Sequence, residues 1–231
     1  MITATNLSKS YKGVQVLNIP SLDIIKGESF GLVGNNGAGK TTLFSLLLDL
    51  IQPTTGNIKT NDILVHESED WKPFTAAFID ESFLIGYLTP EEYFYFIGDL
   101  RGRNKADVDN FVSKFEDLFH GEILAKKKYI RDLSKGNQKK VGIVGALIGD
   151  PQVIILDEPF ANLDPTTQIK LKQLITQLTH DKHITVLISS HDLTHVTEVC
   201  ERIVVLDKGN VVKDLRTSEA TLKELEQHFA G

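Results

Sequence analysis

Gly34-Asn35-Asn36-Gly37-Ala38-Gly39-Lys40-Thr41 fits the spacing G-x-x-x-x-G-K-S/T, and Thr42 follows directly. Such a stretch can wrap a polyphosphate. Glycines let the chain turn its amide N–H groups inward with no Cβ in the way, and a helix opening at Lys40 adds partial positive charge at the same spot. Lys40 is then the point charge that reaches the β and γ phosphates. Thr41 offers a hydroxyl to Mg²⁺, a hard cation that takes oxygen ligands. Chance matches to the bare pattern are common, so its setting matters: the pattern has to follow a strand and open a helix. Ser29-Phe30-Gly31-Leu32-Val33 supplies a compact apolar strand directly before it.

A second cluster of chemistry is Asp157-Glu158, two adjacent acids after the apolar run Ile154-Ile155-Leu156 and before Pro159. A solvent-exposed strand end would explain such a pair in isolation. Together with a phosphate loop, Asp157 is expected to hold magnesium through its waters, and Glu158 to orient or deprotonate an attacking water. His191 follows another apolar run, Val186-Leu187-Ile188-Ser189-Ser190, which brings it to the same sheet edge. A lone histidine is more often structural, but this position favours a γ-phosphate contact.

The elements that must carry these residues are legible in outline. Alternation in the first thirty residues, with turns at Lys12-Gly13 and Lys26-Gly27, predicts short antiparallel strands. Leu43, Leu46, Leu47 and Leu50 predict a helix from about 40 to 50, closed by Pro53 and Gly56. From about Glu81 to Ile148 the pattern turns mostly helical, with Phe111, Phe115 and Phe119 at i, i+4 and i+8. After Pro151, strands are expected at 153–156, 184–189 and 203–207, with helices at 165–179 and 192–200. Alternating strand and helix implies a mainly parallel sheet covered on both faces. The expected division is a core of 1–80 and 151–231 with a helical insertion at 81–150.

Composition narrows the function classes. The 231 residues are 41% apolar and 24% charged, an ordinary globular balance for one domain. A net charge of −6 argues against non-specific attraction to nucleic acid, and Lys126-Lys127-Lys128 is too short a run to change that. Met1-Ile2-Thr3 leads straight into patterned sequence with no basic n-region, and the apolar stretches fall well short of the roughly 20 residues a spanning helix requires. The single Cys200 suits a reducing compartment. A cytoplasmic protein is expected.

With Leu133-Ser134-Lys135-Gly136-Asn137-Gln138 about twenty residues before the acidic strand end, the ordered set resembles the ABC ATPase family. Its motifs are a P-loop (Gly34 to Thr42), a Q-loop (near Asp80), a signature (Leu133 to Asn137), a D-E-P strand end (Asp157 to Pro159), a D-loop (Asn162-Leu163-Asp164) and a switch histidine (His191). The resemblance covers nearly the whole chain. It implies a P-loop NTPase core with an N-terminal antiparallel β subdomain and an inserted helical subdomain. ATP with Mg²⁺ is the implied ligand, and Tyr11 matches the aromatic that stacks on adenine, though a strand-edge tyrosine would look the same. The resemblance further implies a head-to-tail homodimer, closed by ATP, in which Ser134 and Gly136 act on the partner's γ-phosphate. Ser134, just before a long helix, also suits an N-cap and anion site, and Asp164 suits a cap before Pro165 at N1.

Two departures stand out. Asp80, or alternatively Glu81, stands where the family has glutamine and could bind magnesium or its water. Lys135 and Asn137 alter the signature in the SKGN manner of drug, antibiotic and bacteriocin exporters. Aromatics from Trp71 to Phe119 either form the helical insertion's own core or receive a permease. Tyr93-Phe94-Tyr95-Phe96 cannot all face one side of a helix. The resemblance implies an ATPase powering transport, export on the signature and on the short segment after Gly209, through a separate membrane permease at the cytoplasmic face. The rival class is a soluble ABC ATPase acting on ribosome or DNA, whose twin cassettes or long coiled coils have no counterpart here. A nucleotide-binding regulator is disfavoured by retained Glu158.

Overall fold

The computed structural model describes residues 1–181 and 183–230. Strands β1 (Ile2–Tyr11) and β2 (Val14–Ile24) form the expected antiparallel hairpin, closed between Tyr11 and Val14. Lys12 and Gly13 both take positive φ there, the conformation a two-residue hairpin turn requires. β4 (Thr55–Thr60) pairs with β1, and β5 (Ile63–Leu64) with β4.

The parallel part comprises β3 (Ser29–Val33), β6 (Thr75–Phe78), β7 (Val153–Asp157), β8 (Thr185–Ser190) and β9 (Arg202–Asp207). With β10 (Asn210–Arg216) antiparallel to β9, the ten strands among the described residues join in the order β5-β4-β1-β2-β10-β9-β3-β8-β7-β6. Every residue of β3, β7 and β8 is buried, as strands covered on both faces must be. Each buried Val, Leu or Ile contributes about 1.5–3 kcal/mol, so these three strands are a rigid base for what their ends carry.

The helices are α1 (Lys40–Leu47), α2 (Pro90–Leu100), α3 (Lys105–Val112), α4 (Glu116–Phe119), α5 (Lys135–Leu147), α6 (Pro165–His180), α7 (Leu193–Val199) and α8 (Thr221–Ala230). Helices α2 to α5 lie in the chain between β6 and β7. Their caps follow local chemistry: Thr89 and Glu92 form a reciprocal capping box, with Pro90 at the first turn of α2.

Two helix expectations are corrected. α1 ends at Leu47 instead of near 50, because Asp49 turns left-handed (φ 53°) and the Leu50 N–H donates back to the Ser45 carbonyl at 2.9 Å. That is a Schellman ending with aspartate in the place usually taken by glycine. The phenylalanines at 111, 115 and 119 do not share one helix. A 3-10 turn at Ser113–Phe115 separates α3 from α4, leaving the rings of Phe111 and Phe115 tilted against each other at 5.1 Å while Phe119 turns inward and stacks on Phe94.

The aromatics divide by burial. Trp71, Phe78, Phe94 and Phe119 are buried, and the Trp71 indole N–H donates to the Val65 carbonyl. Phe83, Tyr87 and Phe96 are exposed.

Candidate functional site

The glycine-rich turn joins β3 to α1, as its sequence requires. Gly34 has no room for a side chain: a Cβ there would lie 2.3 Å from the Leu206 carbonyl oxygen and 2.9 Å from the Ala38 Cβ. Gly39, at φ 108°, occupies the left-handed position from which α1 starts. Asn35, Asn36 and Gly37 are exposed at the tip, and Ala38 is tucked beneath. Thr42 sits half-buried behind Thr41.

Lys40 is buried, and its Nζ donates to the Gly34 carbonyl at 2.6 Å and, more weakly, to that of Asn35 at 3.5 Å. The ammonium therefore lies in the curve of its own loop, 3.5 Å from Glu158 Oε1. The Thr41 hydroxyl donates to Asp157 Oδ2 at 2.6 Å, and the Ser189 hydroxyl donates to Asp157 Oδ1. Burial pushes the Asp157 carboxyl above the ordinary range, while the bonds from Ser189 and Thr41 and the charge of Lys40 pull it back.

Glu158 has a left-handed backbone (φ 47°), a conformation that costs a non-glycine residue roughly 1–3 kcal/mol. Its N–H donates to Ser189 Oγ at 3.0 Å, and its carbonyl accepts from Lys139 Nζ at 2.7 Å. Its carboxylate extends between Lys40 and His191, whose Nδ1 lies 2.9 Å from Oε2. At this sheet edge Thr41 thus contacts Asp157, and Glu158 bridges Lys40 and His191.

Other candidates lie elsewhere. Asp80 is exposed, and its carboxylate accepts from the Ser82 N–H at 2.6 Å, so it caps a short turn. Its neighbour Glu81 is the acid that faces inward, 4.0 Å from Lys139. Tyr11 stands half-exposed at the end of β1 with Lys9 Nζ 4.9 Å from its ring centre. Ser134 caps α5, accepting from the Asn137 N–H at 3.2 Å. Gly136 abuts the Asn162 carbonyl, which a Cβ would approach to 2.9 Å. Ser134 and Gly136 line a cavity of about 350 Å³ with Asn162 to Asp164, and no residue of the phosphate loop reaches it. Asp164 caps α6 with Pro165 following, and its bonds to Thr167 hold its carboxyl down to about 2.

Ser189 and Lys139 were not singled out from sequence. Two serines ending a buried strand beside His191 were a usable sign for the first. For Lys139, the sign was a lysine one turn into α5, next to the apolar run that starts at Val141, where burial would require a counter-charge.

A family model described as ABC transporter matches residues 17–161. The ATP-binding protein YhaQ of Bacillus subtilis is 32% identical over 99% of this chain and 74% of its own. The bacitracin transport ATP-binding protein BcrA of Enterococcus faecalis is 31% identical over 95% and 70%. Among solved structures, the dimeric cassette MJ0796 in a post-hydrolysis state bound to ADP and Pi superposes with a TM-score of 0.83 at 25% identity, covering 94% of this chain and 99% of that one. The chain belongs to the ABC transporter family and is one of its ATP-binding, ATP-hydrolysing cassettes. Among the described residues no helix is long and apolar enough to cross a membrane.

Proposed function

We propose that this chain powers export through a separate membrane permease, working from the cytoplasmic face as an ATP-dependent head-to-tail homodimer. The observation that carries its chemistry is Glu158 extended between Lys40 and His191 beside the buried Asp157. In this reading, 1–80 and 151–231 hold the nucleotide and 81–150 form the helical signature subdomain.

The N–H groups from Gly34 to Thr42 cradle the phosphates, with Lys40 leaving its loop carbonyls for the β and γ oxygens. Tyr11 stacks on adenine. Glu158 orients the attacking water and accepts its proton, while His191 steadies that carboxylate and reaches the γ-phosphate. The Thr41 hydroxyl and the Asp157 carboxylate are adjacent oxygen donors, a hard set that fits Mg²⁺ and includes a buried carboxylate whose charge a cation would offset. Magnesium, when bound, neutralises charge on the β and γ oxygens. Asp80 is occupied as a cap, so Glu81 takes the Q-loop position in this reading.

Ser134 and Gly136 have no phosphate loop of their own chain within their cavity, which supports a role toward the ATP of a second copy. Export is favoured by Lys135 and Asn137 in the signature and by similarity to LptB of Escherichia coli, a lipopolysaccharide export protein, 33% identical. Methionine import proteins are similar as well, so direction rests on the signature. Exposed Phe83, Tyr87 and Phe96 suit a permease contact.

The test is light scattering of Glu158→Gln with and without Mg-ATP. A dimer that forms only with Mg-ATP supports the reading. A monomer that still binds nucleotide rejects the head-to-tail dimer, and loss of the dimer in EDTA tests magnesium. Copurification of the tagged chain with a polytopic protein from solubilised membranes tests the permease.

A further inference from the structure

We propose that Lys139 is a positioning residue for hydrolysis, a cation balanced by Glu81 that holds the Glu158 backbone so that its carboxylate faces the site. The proposal rests on the reading of Glu158 as the group that activates water.

Three observations meet at Lys139. It is only 5% exposed although it carries a charge, and a buried ammonium is retained only where it is paired and hydrogen-bonded. Its Nζ donates to the Glu158 carbonyl at 2.7 Å. That carbonyl belongs to a residue in a left-handed conformation, which persists only when the surroundings over-determine it. Ser189 Oγ holds the N–H side of the same residue, and Lys139 the carbonyl side. The Ala161 N–H also reaches that carbonyl, but at 3.3 Å.

Charge explains why the holder is a lysine. Glu81 lies 4.0 Å from Lys139 and would otherwise be a third carboxylate beside Asp157 and Glu158. Burial pushes the Lys139 ammonium below the ordinary lysine range, and Glu81, Glu158 and Asp157 pull it back toward the charged form. Because Glu81 follows β6, Lys139 lies on α5 and Glu158 follows β7, one ammonium ties three segments together at the point where hydrolysis is set up.

The test compares wild type, Glu158→Gln, Lys139→Arg, Lys139→Gln and Glu81→Gln/Lys139→Gln as full chains, by ATPase kinetics, fluorescent mant-ATP affinity and thermal midpoint. Lys139→Gln is expected to lower kcat by roughly 10- to 10²-fold, since misplacing a reacting group by about 1 Å has that scale of effect. Its mant-ATP affinity should stay within about threefold of wild type, as loss confined to the transition state requires. Lys139→Arg should retain most of kcat, and at saturating Mg²⁺, where the Q-loop role of Glu81 no longer limits the rate, the double variant should hydrolyse faster than Lys139→Gln because Glu81 no longer stands unbalanced. Wild-type kcat in Lys139→Gln, no advantage for arginine, or a double variant no faster than the single would each overturn the proposal. Should Lys139→Gln not fold, the double variant decides. Lowered kcat with intact mant-ATP affinity supports positioning, whereas wild-type kcat, or failure of the double variant to fold as well, overturns it. Glu158→Gln hydrolysing at the wild-type rate would instead bring down the assignment of Glu158, a result separable from all of these.

Discussion

His191 Nδ1 and Glu158 Oε2 are 2.9 Å apart, while the other oxygen of the same carboxylate lies 3.5 Å from Lys40 Nζ. One side chain is therefore held from two sides, by Lys40 at the start of α1 and by His191 just after β8. His191→Ala removes one of them and should lower kcat by roughly 10²- to 10⁴-fold, the range for a misaligned general base. Mant-ATP affinity should remain near wild type. Equal losses of affinity and kcat/KM with unchanged kcat would assign His191 to ground-state binding instead.

Lys40 spends its donors on the carbonyls of Gly34 and Asn35, so it shapes the loop as well as charging it. Lys40→Ala should weaken mant-ATP binding by at least about tenfold, the equivalent of one charged hydrogen bond. Binding at wild-type strength would show that the loop amides alone hold the phosphates.

Asp80 and Glu81 are neighbours with different surroundings. Asp80→Asn should leave the Mg²⁺ dependence of hydrolysis unchanged, whereas Glu81→Gln should shift its midpoint. The opposite pattern in a Mg²⁺ titration would return the Q-loop role to Asp80. Asp80→Ala should cost about 1 kcal/mol of stability through the lost cap.

Asp164 carries a pH-dependent contribution. Its bonds to Thr167 depress the folded carboxyl to about 2, below the ordinary aspartate value, so its stabilisation is complete at neutral pH. It is lost as pH falls from the unfolded value of about 4 through the folded one. The side chain is exposed, so the cap sets the scale: Asp164→Ala should cost roughly 0.5–2 kcal/mol at pH 7, and the difference in thermal midpoint from wild type should vanish toward pH 2. A difference that persists there would mean that the ionised carboxylate is not what stabilises.

The phosphate loop, Asp157, Glu158 and His191 were legible because their chemistry demands particular residue types at strand ends, and apolar runs mark strand ends plainly. The choice between Asp80 and Glu81 was not, since it depends on which of two adjacent side chains a short turn directs inward. The Glu81 to Lys139 pair was hidden for a similar reason: α5 has to pack on β6 before residues so distant in sequence can meet. Leu50 extended the helical spacing of α1, but spacing says nothing about a left-handed Asp49. The phenylalanine series over-extended a helix because 3-10 and α turns share nearly the same short-range spacing.

β3, the strand that feeds the phosphate loop, lies between β8 and β9, both drawn from the region after residue 184. While the chain is being synthesised, the loop-bearing strand has neither of its neighbours until the residues beyond 184 have emerged. Long-range parallel pairing of this kind forms late and slowly. The cradle is therefore expected to mature after β8 and β9 have paired with β3 although it is encoded early, so a newly made chain should grip nucleotide only once its central sheet has closed around β3.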